Sequence, residues 1–255
     1  MTTTHEIAPG IHRISTYVPD VGPRGFTFNQ FLIEADEPLI YHTGMHALFG
    51  AVSEAVARIV PLSELRWIAS GHFEADECGA MNDFLAVAPA AQVVHSTIGV
   101  LTSFGDAAAR PPRALADGEE LDLGGAGNAA GRRRVRHLDT PHVPHNWESR
   151  MLFETETGTL FCGDLGAQDG NPAALTSDSV VDAAMRTEEL FRSSSLGPAV
   201  PATLRRLADL NPTTLAIMHG SSFHGDGAGL LRALADAYET TFPQTRAVAE
   251  PSHAA

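Results

Sequence analysis

Four places in this 255-residue chain share one arrangement: a short apolar segment ends, and a residue able to bind a metal ion follows. Trp67 to Ser70 runs into His72, and Val135 to Leu138 leads towards His142 and His145. Thr159 to Cys162 runs into Asp164, and Leu215 to Met218 runs into His219. Loops at strand ends are held by the rigid sheet behind them, so donors placed there converge on one rim. The densest stretch is His72-Phe73-Glu74-Ala75-Asp76-Glu77-Cys78-Gly79. Alternate side chains of an extended backbone point the same way, which predicts that His72, Glu74 and Asp76 face one site. Three donors within five residues can serve two adjacent ions. The same stretch also reads as a helix start, with Asp76 as N-cap and Glu77 complementing the helix dipole. The other three strand-end donors favour the metal reading.

Glu74, Asp76 and Asp164 bring three negative charges to such a site, or four with Glu77. Hard carboxylates combined with imidazole suit iron or manganese, while zinc can also bind. A carboxylate that bridges two cations offsets their mutual repulsion. A glutamate in place of an imidazole at position 74 stabilises the more oxidised metal, which favours reaction with O2 over Lewis-acid hydrolysis.

The donor set resembles that of the metallo-β-lactamase superfamily. Within it, the H-x-E-x-D run at 72–76 resembles the version in the diiron domain of flavodiiron proteins and in stand-alone oxygen-binding diiron proteins; the zinc hydrolases carry H-x-H-x-D-H instead. The likeness spans about residues 10–240. It implies an α/β fold, an αββα sandwich of two mixed β-sheets flanked by helices. It also implies two iron ions, with His72 and Glu74 on one, His145, Asp76 and His219 on the other, and Asp164 bridging both. Eighteen residues separate His145 from Asp164, as in the family pattern, which points to His145 as the ligand. His142 is then left as a group behind the ligands or an acid–base group on the substrate side. The 54 residues between Asp164 and His219 are somewhat fewer than in the family and imply a shortened helical segment. The family has His directly after the aspartate of the cluster; here Glu77 stands there, either an oxygen ligand of the second metal or part of a helix start.

The resemblance implies a diiron protein that binds or reduces O2, or NO. No flavodoxin-like segment or flavin-binding loop is recognisable, so electrons are expected from an external donor, unless the protein is an O2 sensor or carrier. A homodimer is expected by analogy. The alternative is a metal-dependent hydrolase of an ester, thioester, lactone or phosphodiester, using a hydroxide bridging two ions. A plainer alternative is a non-catalytic metal-bound binding protein.

The elements that would position these residues are legible from periodicity. Ile11 to Val18, Phe26 to Ile33 and Leu39 to Tyr41 read as strands, rich in β-branched and aromatic residues and separated by Pro and Gly. Val52, Val56, Ile59 and Val60 follow helical spacing until Pro61. Met81, Phe84 and Leu85 mark a helix, Val93-Val94 a strand, and 105–118 a loop. Leu121 to Leu123, Val135 to Leu138, Met151 to Glu154, Thr159 to Cys162 and Leu215 to Met218 read as strands, with 124–131 as a hairpin loop. Segment 178–195, the stretch around Val200, Leu204 and Leu207, and that around Leu230, Leu231 and Leu234 read as helices. One domain over 1–242 is expected, with a frayed tail from 243 to 255.

Other residues carry weaker signals. Cys78 is either a thiolate at a helix start or a buried thiol, and Cys162 reads as core. His42 sits at a strand end, behind the ligands or purely structural; His46 has no clear place and His137 reads as structural. His224 either lines the pocket or lies in an exposed loop. Tyr17, Phe73 and Trp147 either wall the site or pack. Arg132-Arg133-Arg134 is an interaction patch or a solvated strand start.

Bulk properties narrow the classes. Hydrophobic residues make up 44% and the formal net charge is −14. That balance allows a sizeable core and repels phosphate backbones and anionic membranes, so no nucleic-acid or membrane partner is expected. Two cysteines give no disulfide framework, no signal-peptide pattern opens the chain, and no apolar run approaches the roughly 20 residues of a membrane span. A reduced, cytoplasmic setting is the expectation.

Overall fold

The computed structural model of the protein describes residues 1–126 and 130–247. Two seven-stranded sheets stack face to face. The first runs in chain order, β1 (Thr2–Ala8), β2 (Ile11–Val18), β3 (Phe26–Ile33), β4 (Leu39–Tyr41), β5 (Trp67–Ala69), β6 (Gln92–Ser96) and β7 (Arg113–Leu115). Its first four strands pair antiparallel and the rest parallel. The second comprises β8 (Glu120–Ala126), β9 (Ala130–Asp139), β10 (Arg150–Glu154), β11 (Thr159–Gly163), β12 (Leu175–Thr176), β13 (Thr214–Ile217) and β14 (Ser222–His224), in the order β12-β14-β13-β11-β10-β9-β8. β11 pairs parallel with β13, and β10 antiparallel with β11.

The period-two alternation of these strands divides their side chains between three apolar layers. Leu39, Tyr41, Trp67 and Val94 face Leu152, Phe161 and Ala216 between the sheets. Their strand neighbours Ile40, Ile68 and Val93 turn outward onto Val52 and Val56 of helix Phe49–Ala57 and Phe84 of helix Met81–Val87. On the other side Leu160, Cys162, Leu215 and Ile217 turn onto helices Val181–Phe191, Ala199–Ala208 and Gly227–Thr241. The result is helix, sheet, sheet, helix, as the resemblance implied.

Three expectations are corrected. Segment 105–118 is not all loop: Arg113–Leu115 pairs parallel with β6 as an edge strand, and Gly105–Ala107 is helical. The tail does not begin at 243, because Pro243–Thr245 forms a 3-10 turn whose Thr245 is fully buried. Residues 248–255 and 127–129, part of the expected tail and hairpin loop, lie outside the described residues. Arg132, Arg133 and Arg134 form no cationic patch, since each has a carboxylate within reach, Asp122, Glu154 and Glu120 respectively.

Candidate metal centre

The strand ends do deliver their polar residues to one place. β5 stops at Ala69, and Gly71 and His72 follow. Glu74 is extended (φ −137°, ψ 154°), and a one-turn helix, Ala75–Cys78, then begins. Two hydrogen bonds tie this loop to the second sheet and the segment before β10: Arg150 N donates to Gly71 O at 2.8 Å, and Phe73 N donates to the Glu148 side chain at Oε1, 3.0 Å away. Asp164 follows β11 directly, and His219 lies two residues past β13. The His219 loop is clamped from the first sheet. Asn29 Nδ2 donates to Ile217 O and Gly220 O at 2.8 and 3.0 Å, Arg13 Nη2 to Gly220 O at 2.8 Å, and Gly220 N to Thr27 Oγ1 at 2.7 Å.

The six polar side chains divide into two groups across Asp164. On one side, His72 Nε2 lies 2.9 Å from Glu74 Oε2 and 3.8 Å from Asp164 Oδ2, and His145 Nε2 lies 3.5 and 3.4 Å from the same two oxygens. One ligand atom from each of these four residues falls within 4.8 Å of all the others. On the other side, His219 Nε2 lies 3.3 Å from Asp164 Oδ1 and 3.4 Å from Asp76 Oδ2. The sorting expected from the resemblance is therefore corrected: His145 stands with His72 and Glu74, not with Asp76 and His219. Its ring packs edge-on against that of His72 at 4.2 Å.

Glu77 and His142 are corrected as well. Consecutive helical residues point about 100° apart, so with Asp76 turned to the site Glu77 turns into the protein, where it is fully buried. Its Oε2 accepts from the backbone N–H of Gly71 and of His72, each at 2.6 Å, and its Oε1 lies 3.2 Å from His42 Nε2 and 3.1 Å from His72 Nδ1. A Cβ at Gly71 would lie 3.0 Å from both Glu77 Oε1 and Tyr41 Oη, tighter than ordinary contact, so the carboxylate packs closely against the glycine. His142 is exposed with φ 63°, and its ring lines no wall of the cavity beside the six side chains. The extended reading of 72–76 holds only to Glu74, the residue that precedes the helix; Asp76 is not the N-cap.

That cavity, of about 240 Å³, is walled by Phe26, Phe28, Phe191 and Val21. Phe26 and Phe28 also meet the His219 ring edge-on at 5.0 and 5.2 Å. Of the two readings open for Tyr17, Phe73 and Trp147, walling the site or packing, the first does not hold, since none of them lines this cavity. The available signal was the Phe26-x-Phe28 alternation of β3, which puts both rings on one face. Cys78 and Cys162 are buried free thiols; burial pushes Cys78 up to about 12, so neither helix start nor site makes it a thiolate. His42 is buried against Glu77, and His46 is exposed beside Asp83. His137 is buried and bonded to Asp139, while His224 is an exposed strand residue bonded to Thr214, away from the site.

Electrostatics test whether cations fit here. Burial alone would depress His72 and His219, yet Glu77, Glu74 and Asp164 raise His72 well above its ordinary value, and Asp164 and Asp76 raise His219 to about 10. The bond to Asp164 raises His145 against its own burial. Burial likewise pushes Asp164 up, but His145, His219 and His72 hold it well below the usual carboxylate range. Three imidazole nitrogens and three carboxylates converging within a few ångströms are the donor types that metal ions draw together. Asp76 Oδ1 is also buried without a hydrogen-bond partner. His219 Nδ1 lies 2.8 Å from Thr27 O, which leaves Nε2 turned towards Asp164 and Asp76. The donor set fits a pair of metal ions.

Comparison with known proteins agrees with this fold. Residues 26–220 match the family described as ODP family beta lactamase. The anaerobic nitric oxide reductase flavorubredoxin of Aeromonas hydrophila is 20% identical over 205 residues, 79% of this chain and 40% of that protein. The rubredoxin-oxygen oxidoreductase of Megalodesulfovibrio gigas is 21% identical over 213 residues, 80% of this chain and 51% of that one. The chain thus spans about half or less of the length of these curated relatives. A metal-soaked flavodiiron core from Synechocystis superposes with a TM-score of 0.78 at 18% identity, covering 93% of this chain and 61% of its own. With most of its length matched, the chain belongs to the ODP family beta lactamase group, and its fold is that of flavodiiron metallo-β-lactamase cores.

Proposed function

We propose that the protein is a diiron metalloprotein that binds or reduces O2 or NO, with His72, Glu74, His145, Asp164, Asp76 and His219 as its metal ligands and electrons supplied by a donor outside these residues. The observation that carries this reading is the placement of the two oxygens of Asp164. One faces His72, Glu74 and His145, the other faces Asp76 and His219. One carboxylate between two donor sets is what two adjacent cations need. Three carboxylates and three imidazoles are a hard, iron-compatible set. The names of the curated relatives, a nitric oxide reductase and an oxygen oxidoreductase, support the same substrates.

When bound, a reduced iron pair would supply electrons to O2 or NO. The chain's residues do the rest. Thr27 O fixes the tautomer of His219, the protein clamps on Gly220 hold its loop, and Phe26, Phe28 and Phe191 present an apolar wall that admits a small neutral gas and keeps bulk water away. The test is anaerobic loading with Fe(II), followed by O2 at an electrode with and without a reduced flavin donor. Iron-dependent O2 uptake, repeated when the donor is present, is expected. Zinc-loaded protein that hydrolyses an ester, thioester or lactone anaerobically, while the iron form leaves O2 untouched, would replace this reading with the hydrolytic one.

A further inference from the structure

The two donor sets are not equal. The first has four residues, His72, Glu74, His145 and Asp164 through Oδ2. The second has three, Asp76, His219 and Asp164 through Oδ1. The residue that follows Asp76 in sequence, and by position is best placed to complete the second set, is Glu77. Its carboxylate is engaged elsewhere.

We propose that the two metal positions are unequal by construction. The position facing His72, Glu74, His145 and Asp164 Oδ2 retains its ion. The position facing Asp76, His219 and Asp164 Oδ1 exchanges its ion and is the one left open to a small ligand. Glu77 is a positioning residue that holds His72 for the first position, not a ligand of the second. The proposal rests on the two-metal reading above and goes beyond it in assigning different roles to the two ions.

Glu77 cannot change sides cheaply. Reaching the second position would forfeit two backbone N–H bonds of 2.6 Å. It would also take the carboxylate away from the fully buried His42, whose Nε2 lies 3.2 Å from Oε1. The carboxylate sits in a cradle built around it: Gly71 and Gly163 both approach Oε1 so closely that a Cβ would lie 3.0 and 3.3 Å away. From there it lies 3.1 Å from His72 Nδ1, the nitrogen on the far side of the ring from the site. A carboxylate behind a ligating imidazole fixes the ring's orientation and raises its basicity, and losing such a partner typically weakens metal binding about 10–100-fold. The second position has a counterpart only in the neutral backbone carbonyl of Thr27, behind His219. It therefore has one fewer donor and a weaker support. Both positions border the cavity walled by Phe26, Phe28 and Phe191, through Glu74 and His145 on one side and Asp76 and His219 on the other, so the missing donor is what leaves the second position open to a small molecule.

The test follows iron release, not turnover. Protein loaded anaerobically with two equivalents of Fe(II) is desalted and mixed with a chromogenic chelator. Two phases of one equivalent each are expected, the slower at least about tenfold behind the faster. Asp76→Asn should remove the fast phase and leave the slow one. Glu77→Gln, which keeps shape and loses charge, should speed the slow phase about 10–100-fold, so that it merges with the fast one, while the variant still loads two equivalents. If Glu77→Gln instead abolishes loading of the fast equivalent, Glu77 is a ligand of the second position and the proposal falls. Two equivalents leaving the unaltered protein together, in a single phase, also overturn it, while the two-metal reading stands. A protein that holds no iron at all defeats both. The release experiment on the unaltered chain decides the inequality even if Glu77→Gln fails to fold.

Discussion

The six converging side chains reach the centre by two different routes. His72, Glu74 and Asp76 leave a single loop after β5, three donors within five residues. His145, Asp164 and His219 leave three separate loops of the second sheet, spaced by 18 and then 54 residues. The first route is local, because one strand end and one helical turn set it. The second exists only when β9, β10, β11 and β13 are paired and the second sheet is docked on the first. The lesson is that half of this centre depends on local backbone and half on the inter-sheet core.

The contrast can be broken most forcefully at the layer between the sheets. Phe161 is fully buried there, against Phe31 at 5.7 Å and Tyr41 at 5.2 Å. Phe161→Ala should lose about 3–5 kcal/mol of stability in urea unfolding. It should also weaken metal binding, because Phe161 is in the layer that docks the two sheets. Affinity that stays unchanged in the folded variant would mean that the second-sheet donors do not depend on docking.

A smaller effect is expected from the residue shared by both donor groups. Asp164→Ala should weaken retention of both ions at least about a hundredfold, close to 3 kcal/mol, as read by metal analysis after dialysis. Loss of one ion with the other held normally would show that Asp164 does not join the two halves.

The smallest effect is a pH response of the metal-free protein. His219 is raised to about 10 from 6.5 by Asp164 and Asp76. A group raised on folding stabilises fully below its unfolded value, and that contribution is lost as pH climbs through the folded one. The metal-free Tm should therefore fall by a few degrees between pH 7 and pH 10. The metal-loaded Tm should not fall through this group, because a ligating imidazole carries no proton on the metal-facing nitrogen. Equal pH profiles of the two forms would show that proton and metal do not compete at His219.

Much of the fold was legible because its signals are local. The strands at Ile11–Val18, Phe26–Ile33 and Leu39–Tyr41 have the predicted bounds, since β-branched and aromatic runs between Gly and Pro leave few alternatives. The edge strand Arg113–Leu115 escaped notice, because a three-residue strand in a Pro- and Ala-rich segment carries no period and exists only through its pairing with β6. The clamp residues Arg13, Thr27 and Asn29 escaped as well. Each is an ordinary polar strand residue until the second sheet brings Gly220 alongside it.

By itself the sequence determined which donors exist and that they follow the ends of strands, some at once and some several residues on, because residue type and strand boundaries are properties of short segments. It also determined the carboxylate-rich character that suits iron. Only the tertiary structure decided that His145 joins His72, and that Glu77 turns inward to His42 and His72 instead of outward. The reason is geometric: a one-turn helix separates neighbouring side chains by about 100°, and which of them meets the site depends on where the opposite sheet comes to rest.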